Sequence, residues 1–447
     1  MTEARSVQRF GTMLVLVVAL LAAAGRPAAA IDIQAVSSGS GIEAWLIEDH
    51  TNPIIAVNFA FRGGGALDPS GKEGLADMVS GLLDEGAGPL DSTAFQKRLE
   101  DRAITLRFEA GRDTFGGRLL TLTENRDAAF DLLRLALTEP RFDAEPVERI
   151  RGQILANLRH RSEDPDTLGR QELFAALFPG HPYGRPLEGT EESINAITAD
   201  DLRDFHKRRL GRDNLVIGVV GDISPKELAG ALDWLFGGLP DRAAPWALDM
   251  APPRADGGVS VVDKRFPQSA IVFAQKGVAR DHPDYYAAYV VNHILGGGGF
   301  TARLYNEVRD KRGLAYSVYS ALVPMDFSSL VIGGAGTRND RAAETVQVIQ
   351  DEWRRMAAEG PSAKELDDAK LYLTGSFPLQ FSSSDRISGI LVAMQLDRLG
   401  IDYLDRRNAM IEAVTLEDAR RVARDVLDPA GLRFVVVGQP AGIEPGG

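Results

Sequence analysis

The stretch ITADDLRDFHKRRLGRDNLVIGVVG (residues 197–221) aligns without a gap with VTLEDARRVARDVLDPAGLRFVVVG (residues 414–438). Each copy begins with the Thr-x-x-Asp pattern typical of a helix N-terminus and continues with apolar residues at helical spacing. Each copy ends in a continuous apolar run closed by glycine, which predicts a buried strand. An ungapped match of this length indicates a duplication rather than a chance similarity.

The patterns around these copies predict two halves built on one plan. Strands are predicted at 43–48, 54–62, 104–110 and 115–123, and again at 259–263, 270–275, 315–322 and 328–333. Helices are predicted at 125–138, 144–161, 284–295 and 340–358. Because strands and helices do not strictly alternate, we expect an α+β fold with two homologous domains, each a largely antiparallel sheet with helices packed on one face. The domains are predicted over 31–238 and 259–447, joined by a Pro-, Ala- and Asp-rich linker, 239–258.

The N-terminus resembles a secretory signal peptide. Arg5 and Arg9 precede the apolar run GTMLVLVVALLAAAG, and an Ala28-x-Ala30 pattern follows. These features predict a signal peptide over residues 1–30. The alternative is an uncleaved membrane anchor, although the apolar run is short for a spanning helix. The mature chain is therefore expected to be exported and not inserted in a membrane.

Composition narrows the classes of partner. The chain has no cysteine, which excludes disulfides and thiolate zinc sites. The formal net charge is −13, and loss of residues 1–30 (three Arg and one Glu) gives −13 − 3 + 1 = −15. A balance this acidic argues against nucleic acid or an anionic membrane surface as a partner.

Three motifs carry a resemblance to a known family. They are GLADMVSGLLDEG (74–86), predicted to be a helix, HPYGRPLEGTEESI (181–194) and NHILGGGGFTARLYNEVRDKRGLAYSVYS (292–320). With them the mature chain resembles the pitrilysin/insulinase zinc peptidases, or inverzincins, whose helix carries His-x-x-Glu-His. The resemblance implies a LuxS/processing-peptidase-like metallopeptidase fold.

The residues that bind zinc in that family are absent here. The resemblance puts Asp77 and Gly81 at the positions of the two histidines, Ser80 at that of the glutamate base, and Asn157 at that of the third ligand. Catalytic zinc needs three good protein donors, and a serine hydroxyl is not basic near neutral pH. We therefore predict a degenerate zinc site, with no metal and no catalytic residue in this chain alone.

The histidines offer no replacement site. No two of the six are three or four residues apart, so no helical face carries a pair of them; they are His50, His160, His181, His206, His282 and His293. We interpret each as structural.

The second half retains two residues that the family uses to bind peptide. The resemblance assigns this role to Arg309 and Tyr316, whose guanidinium and phenol can donate to peptide carbonyls. The alternative is an Arg309 ion pair with Glu307 or Asp310 and a Tyr316 that packs on its strand. A glycine-rich loop handles substrate in the related mitochondrial processing peptidase, so we assign peptide handling to the run Gly296, Gly297, Gly298 and Gly299.

The first functional hypothesis is a non-catalytic, substrate-binding subunit of a two-chain zinc peptidase. Its partner would be a homologous zinc-bearing subunit that supplies the metal, and its ligands would be peptides. The signal peptide and the family suggest a Gram-negative periplasm. The alternatives are an inert structural or peptide-binding protein, like the core subunits of respiratory complex III, and an enzyme with a rebuilt metal site.

Overall fold

The computed structural model describes residues 32–443, so the predicted signal peptide lies outside the described residues. The strands are β1 (Gln34–Ser37), β2 (Glu43–Glu48), β3 (Ile54–Arg62), β4 (Thr105–Ala110), β5 (Thr114–Leu122), β6 (Leu215–Gly221), β7 (Gly258–Asp263), β8 (Gln268–Lys276), β9 (Ala315–Pro324), β10 (Ser329–Arg338) and β11 (Arg433–Gly438). The helices are α1 (Leu75–Ser80), α2 (Ser92–Glu100), α3 (Arg126–Thr138), α4 (Ala144–Arg161), α5 (Pro165–Leu177), α6 (Glu191–Ala196), α7 (Ala199–Arg209), α8 (Pro225–Phe236), α9 (Tyr285–Asn292), α10 (Ala342–Glu359), α11 (Ala363–Gly375), α12 (Ser384–Leu396), α13 (Tyr403–Glu412) and α14 (Leu416–Val426). None of these helices has the length and apolarity that a membrane span requires.

The strands form two sheets with the same internal order. The first runs β1-β2-β6-β3-β5-β4 and the second β7-β11-β8-β10-β9, so the second repeats the first without a counterpart of β1. Only β2 with β6 and β7 with β11 pair in parallel among the described strands. The predicted α+β fold of two largely antiparallel sheets is confirmed.

The duplicated helix–strand unit occupies the same place in both halves. Thr198 caps the N-terminus of α7, since its hydroxyl accepts a hydrogen bond from the Asp201 backbone N–H, and Thr415 caps α14 in the same way with Asp418. Each helix leads into an interior strand, β6 or β11, that is buried along most of its length. The unbroken apolar runs reflect this burial on both faces.

Two predicted elements have different ends from those expected. The predicted helix over 74–86 is α-helical only over Leu75–Ser80, and beyond Ser80 it continues as tight turns. The strand predicted to end at 333 extends to Arg338 through a glycine-rich stretch. A Cβ at Gly333 would lie 2.2 Å from the Phe273 ring, so this glycine makes room for the ring within the sheet. Glycine here marks close packing rather than a strand end.

Each sheet packs one face against helices of its own half, where a large apolar core forms. On its other face lies a helix from the opposite half: α12 crosses β3 and β6, and α5 crosses β8 and β11. Glycine permits both close approaches, because a Cβ at Gly218 would lie 2.4 Å from the Ser388 carbonyl oxygen and one at Gly169 would lie 2.9 Å from Val272. This exchange of helices joins the halves, and local sequence patterns did not predict it.

A third apolar cluster lies between the halves and includes Leu173, Leu177, Val272 and Val437. The linker segment passes beside it, and Ala251 donates its backbone N–H to the Phe327 carbonyl oxygen at 2.8 Å. The linker is therefore packed against the protein at this point.

Candidate functional site

Helix α1 is held by contacts at its N-terminus. Gly74 has φ of 90°, and a buried carboxylate, Asp68, accepts hydrogen bonds from the backbone N–H groups of Gly74 and Ala76 at 3.0 and 3.1 Å. Burial raises the pKa of Asp68 to about 7, although the N–H donors oppose the shift. The helix is thus fixed in place by Asp68 and by burial of Met78 and Val79.

The degenerate zinc positions lie together in the fold. Asp77 and Asn157 line one cavity of about 290 Å³, between α1 and α4. The Ser80 hydroxyl instead donates to the Asp77 backbone carbonyl at 2.7 Å, and a Cβ at Gly81 would lie 3.3 Å from Ile150. The cavity therefore contains one inherited carboxylate and one amide.

Three other polar residues line this cavity: His160, Arg161 and Glu188. Arg161 pairs with Glu188, and burial together with the Glu188 charge raises the pKa of Asp77. His160 and Arg161 could have been found from sequence, since they lie three and four residues after Asn157 on the same helix. Glu188 could not, because it comes from a loop of the 181–194 motif. Among residues 32–443 no group of three or more His, Cys, Asp or Glu is arranged to hold a metal ion.

The other histidines have ordinary structural contacts. His206 Nε2 hydrogen-bonds the Leu137 carbonyl oxygen, His50 lies between Asp222 and Glu48, and His293 stacks on Tyr372. The Nδ1 atoms of His181 and His282 accept backbone N–H groups two residues further on.

Arg309 and Tyr316 lie against each other. The guanidinium carbon of Arg309 is 4.8 Å from the ring centroids of both Tyr305 and Tyr316. Tyr305 is buried, whereas Tyr316 is 82% exposed at the start of β9. Stacking between two rings orients a guanidinium through its faces and leaves its N–H groups free to donate in the plane.

The alternative interpretation of this pair does not match the geometry. Glu307 is buried, and its carboxylate is paired with Lys311 and Arg312. Within residues 32–443, Arg309 forms no ion pair with Glu307, Asp310 or any other carboxylate. The Tyr316 ring projects from the strand rather than packing on it.

The glycine run continues α9 toward this pair. Gly296 and Gly297 lie in a π-helical turn, and Gly299 has φ of 58°. A Cβ at Gly296 would lie 2.3 Å from the Ser320 hydroxyl on β9, so the backbone approaches that strand closely. The next residue after the run, Phe300, is exposed and stacks edge-on against Tyr305, the ring beneath Arg309.

Known proteins resemble the chain along most of its length. A profile described as the peptidase M16 inactive domain matches residues 196–373. The non-peptidase homolog YmxG of Helicobacter pylori is 30% identical over 339 residues, which cover 74% of this chain and 77% of that protein. The chain belongs to the peptidase M16 family. An uncharacterized zinc protease of Streptomyces coelicolor is also 30% identical to this chain, and the match covers 67% of this chain and 66% of that protein.

Solved structures agree with this assignment. The M16 inactive-domain crystal structure from Pseudomonas fluorescens matches with a TM-score of 0.86 and 29% identity, over 93% of this chain and 99% of that one. A protease from Helicobacter pylori, at 20% identity and a TM-score of 0.83 over 91% and 100%, shares the fold. The resemblance to pitrilysin/insulinase peptidases is confirmed, and the M16 chain is of the inactive type, without His-x-x-Glu-His.

Proposed function

We propose that this M16 chain is the non-catalytic, substrate-binding subunit of a two-chain zinc peptidase, with Arg309 and Tyr316 holding peptide at the metal of a zinc-bearing homologous partner. The observation that carries the proposal is the stacked Arg309, which has no carboxylate partner in the described part of the chain, beside an exposed phenol. The fold gains nothing from an unpaired guanidinium and phenol, whereas a peptide carbonyl could accept hydrogen bonds from both groups.

The arrangement of Arg309 and Tyr316 suits the transition state of peptide hydrolysis as well as the bound peptide. A developing oxyanion attracts a preorganised guanidinium and phenol more strongly than a neutral carbonyl does. Because the Arg309 guanidinium is already oriented by Tyr305, little rotamer entropy remains to be lost on binding. The pair would therefore increase kcat as well as affinity.

The position of Tyr316 also favours an extended peptide. It lies on β9, which pairs only with β10 among the described strands and is an edge of its sheet. A peptide added to such an edge is held by backbone hydrogen bonds whatever its sequence. Broad specificity for unstructured peptides would follow.

The test is reconstitution with a zinc-bearing homologue from the same source, with a quenched fluorescent peptide as substrate. Arg309→Ala and Tyr316→Phe should each lower kcat/KM by about 10-fold or more, the scale expected for loss of an oxyanion-type donor. Arg354→Ala is the matched control, because within residues 32–443 Arg354 forms only an exposed ion pair with Asp351.

Equal cleavage by the Arg309 and Tyr316 variants would refute their assigned roles. Stable association with a larger assembly, without any gain in cleavage from a zinc-bearing partner, would instead favour the inert structural protein. Stoichiometric zinc in the purified chain, with chelator-sensitive cleavage, would favour the rebuilt metal site.

A further inference from the structure

A cavity of about 720 Å³ lies between the two halves and shares no lining residue with the cavity beside Asp77. Its walls come from the linker, the end of β8 and the segment that follows it, the β9–β10 hairpin and the C-terminal end of α12, together with Arg62 at the end of β3. This volume is within the range of sites for small organic ligands. None of the residues assigned above to zinc or peptide lines it.

Much of the lining is apolar and adaptable. It includes Met250, Pro252, Pro253, Pro324, Met325 and Phe327. Met250 is 69% exposed, so part of this apolar surface faces solvent in the described structure. Methionine adapts to ligands of different shape, and proline walls lose little entropy when a ligand binds.

The hairpin wall is held firmly. The Phe327 N–H donates to the Tyr183 hydroxyl at 3.0 Å, and the Phe327 carbonyl accepts from Ala251 at 2.8 Å. The Asp326 N–H donates to the Asp113 carboxylate at 3.2 Å. The cavity is therefore largely preformed, which lowers the entropic cost of binding.

The charges at the cavity are unevenly paired. Four of the charged residues form two ion pairs, and the charges cancel within each pair: Arg62 with Asp326 at 3.6 Å and Arg280 with Asp397 at 3.4 Å. The remaining charged residues are Lys276, Arg398 and Asp281, and none of the three forms an ion pair within residues 32–443. Two cations and one anion leave a net charge of +1 in a protein whose formal net charge is −13.

A serine hydroxyl adds an unused hydrogen-bonding group. Ser328 lines the cavity, is only 7% exposed, and its Oγ has no hydrogen-bond partner in the described part of the chain.

We propose that this cavity binds a small amphipathic carboxylate, with the acid group between Lys276 and Arg398 and its hydrocarbon tail against the methionine and proline wall. The apolar lining favours a ligand with a hydrocarbon tail, and the two unpaired cations favour a ligand with a negative charge. This site is separate from the peptide site proposed above and does not depend on it.

The test is calorimetric titration of the purified protein with decanoate, with decanol and decyltrimethylammonium as neutral and cationic probes of the same chain length. Decanoate should bind to one site and at least about 10-fold more tightly than decanol, the scale of a charge-assisted hydrogen bond. Hexanoate should bind more weakly than decanoate, because less hydrocarbon is buried.

Variants connect binding to the cavity. Lys276→Gln with Arg398→Gln should weaken decanoate binding by about 10-fold or more, whereas Asp281→Asn should strengthen it by removing a repulsive charge. Lys226→Gln, at an exposed lysine outside the cavity, should leave affinity within about twofold. No binding, equal binding of decanol, or unchanged binding by the double variant would each overturn the proposal.

Discussion

Single residues decide which chemical groups stand at the positions that align with the family's zinc site. At the degenerate zinc positions, the Ser80 hydroxyl donates to a backbone carbonyl of its own helix and Gly81 offers no side chain. Asp77 is the one inherited position that keeps an ionisable group, and no hydrogen bond to its carboxylate is found in the described structure. Its pKa is raised first by burial and then by Glu188. When it is ionised, a buried carboxylate without hydrogen bonds lowers the free energy of unfolding.

Asp77→Asn should therefore leave the protein at least as stable as the unchanged chain near neutral pH. A carboxyl group whose pKa is raised on folding stabilises below its unfolded pKa of 3.8, and this contribution is lost as pH rises through the folded pKa. The variant should gain up to about 1 kcal/mol relative to the unchanged chain between pH 4 and pH 7.5, measured by urea unfolding.

The matched control is Asp367→Asn, an exposed carboxylate outside any ion pair found in residues 32–443. This substitution should change the free energy of unfolding by less than about 0.5 kcal/mol. A clear loss of stability for Asp77→Asn at pH 7.5 would contradict the interpretation and indicate that the carboxylate binds a cation.

At the scale of elements, helix α11 is joined to the segment that carries the glycine run and Arg309. Arg303 donates two hydrogen bonds to the Glu365 carboxylate, at 2.6 and 2.8 Å, and a third to the Gly360 carbonyl oxygen. Glu365 also accepts from the Ser362 N–H at the start of α11. One carboxylate thus completes the helix N-terminus and fixes the neighbouring segment.

Glu365→Gln should destabilise the protein by about 1–2 kcal/mol at pH 7, since it leaves a half-buried guanidinium without its counter-charge. The Arg303 hydrogen bonds lower the pKa of Glu365 to about 2. The stabilisation is therefore present above pH 4.5 and is lost as pH falls toward 2, so the two proteins should converge in acid.

Asp368→Asn on the same helix is the control, because its pair with Lys364 is exposed and should contribute less than about 0.5 kcal/mol. Both variants are compared by urea unfolding from pH 7 to pH 2.5. Equal effects of the two substitutions would show that the Arg303–Glu365 pair stabilises the protein no more than an exposed ion pair does.

At the scale of the whole molecule, the halves are joined through exchanged helices and a few buried polar bridges. Tyr183, in the HPYG motif, is fully buried; it donates to Asp113 at 2.6 Å and accepts from the Phe327 N–H in the other half. Asn58 on β3 similarly donates to Ser388 on α12 at 2.6 Å. Because the third apolar cluster also spans the halves, we expect residues 34–443 to unfold in one transition.

Tyr183→Phe should lower the free energy of unfolding by about 1–3 kcal/mol, because the half-buried Asp113 carboxylate and the Phe327 backbone N–H each lose a partner. Hydrogen exchange should also become faster at the hairpin residues 325–328, which this hydroxyl helps to hold. Differential scanning calorimetry and exchange mass spectrometry measure the two effects.

Tyr289→Phe provides the control, since its ring stacks on Tyr285 and no hydrogen bond of its hydroxyl is found within residues 32–443. It should change stability by less than about 0.5 kcal/mol. Two separate unfolding transitions in the unchanged protein would contradict the view that the halves form one cooperative unit.

Sequence patterns alone predicted the two-sheet plan and the repeated helix–strand unit, and they show that the chain lacks His-x-x-Glu-His. These features follow from local periodicity and from residue identity at a few positions, so they can be recognised without knowledge of the tertiary contacts. The sequence also pointed to Arg309 and Tyr316, through the surrounding motif rather than through their spacing.

How the halves meet, and which polar groups are left unpaired, depends on tertiary contacts that no local pattern predicts. Helix α12 crosses the first sheet at Gly218, and α5 crosses the second at Gly169; neither contact has a local signature, because each joins residues more than 100 positions apart. The same holds for Glu188 beside Asp77 and for Ser328 at the inter-half cavity. Whether a side chain is free or satisfied depends on partners that are distant in sequence, and folding alone brings them together.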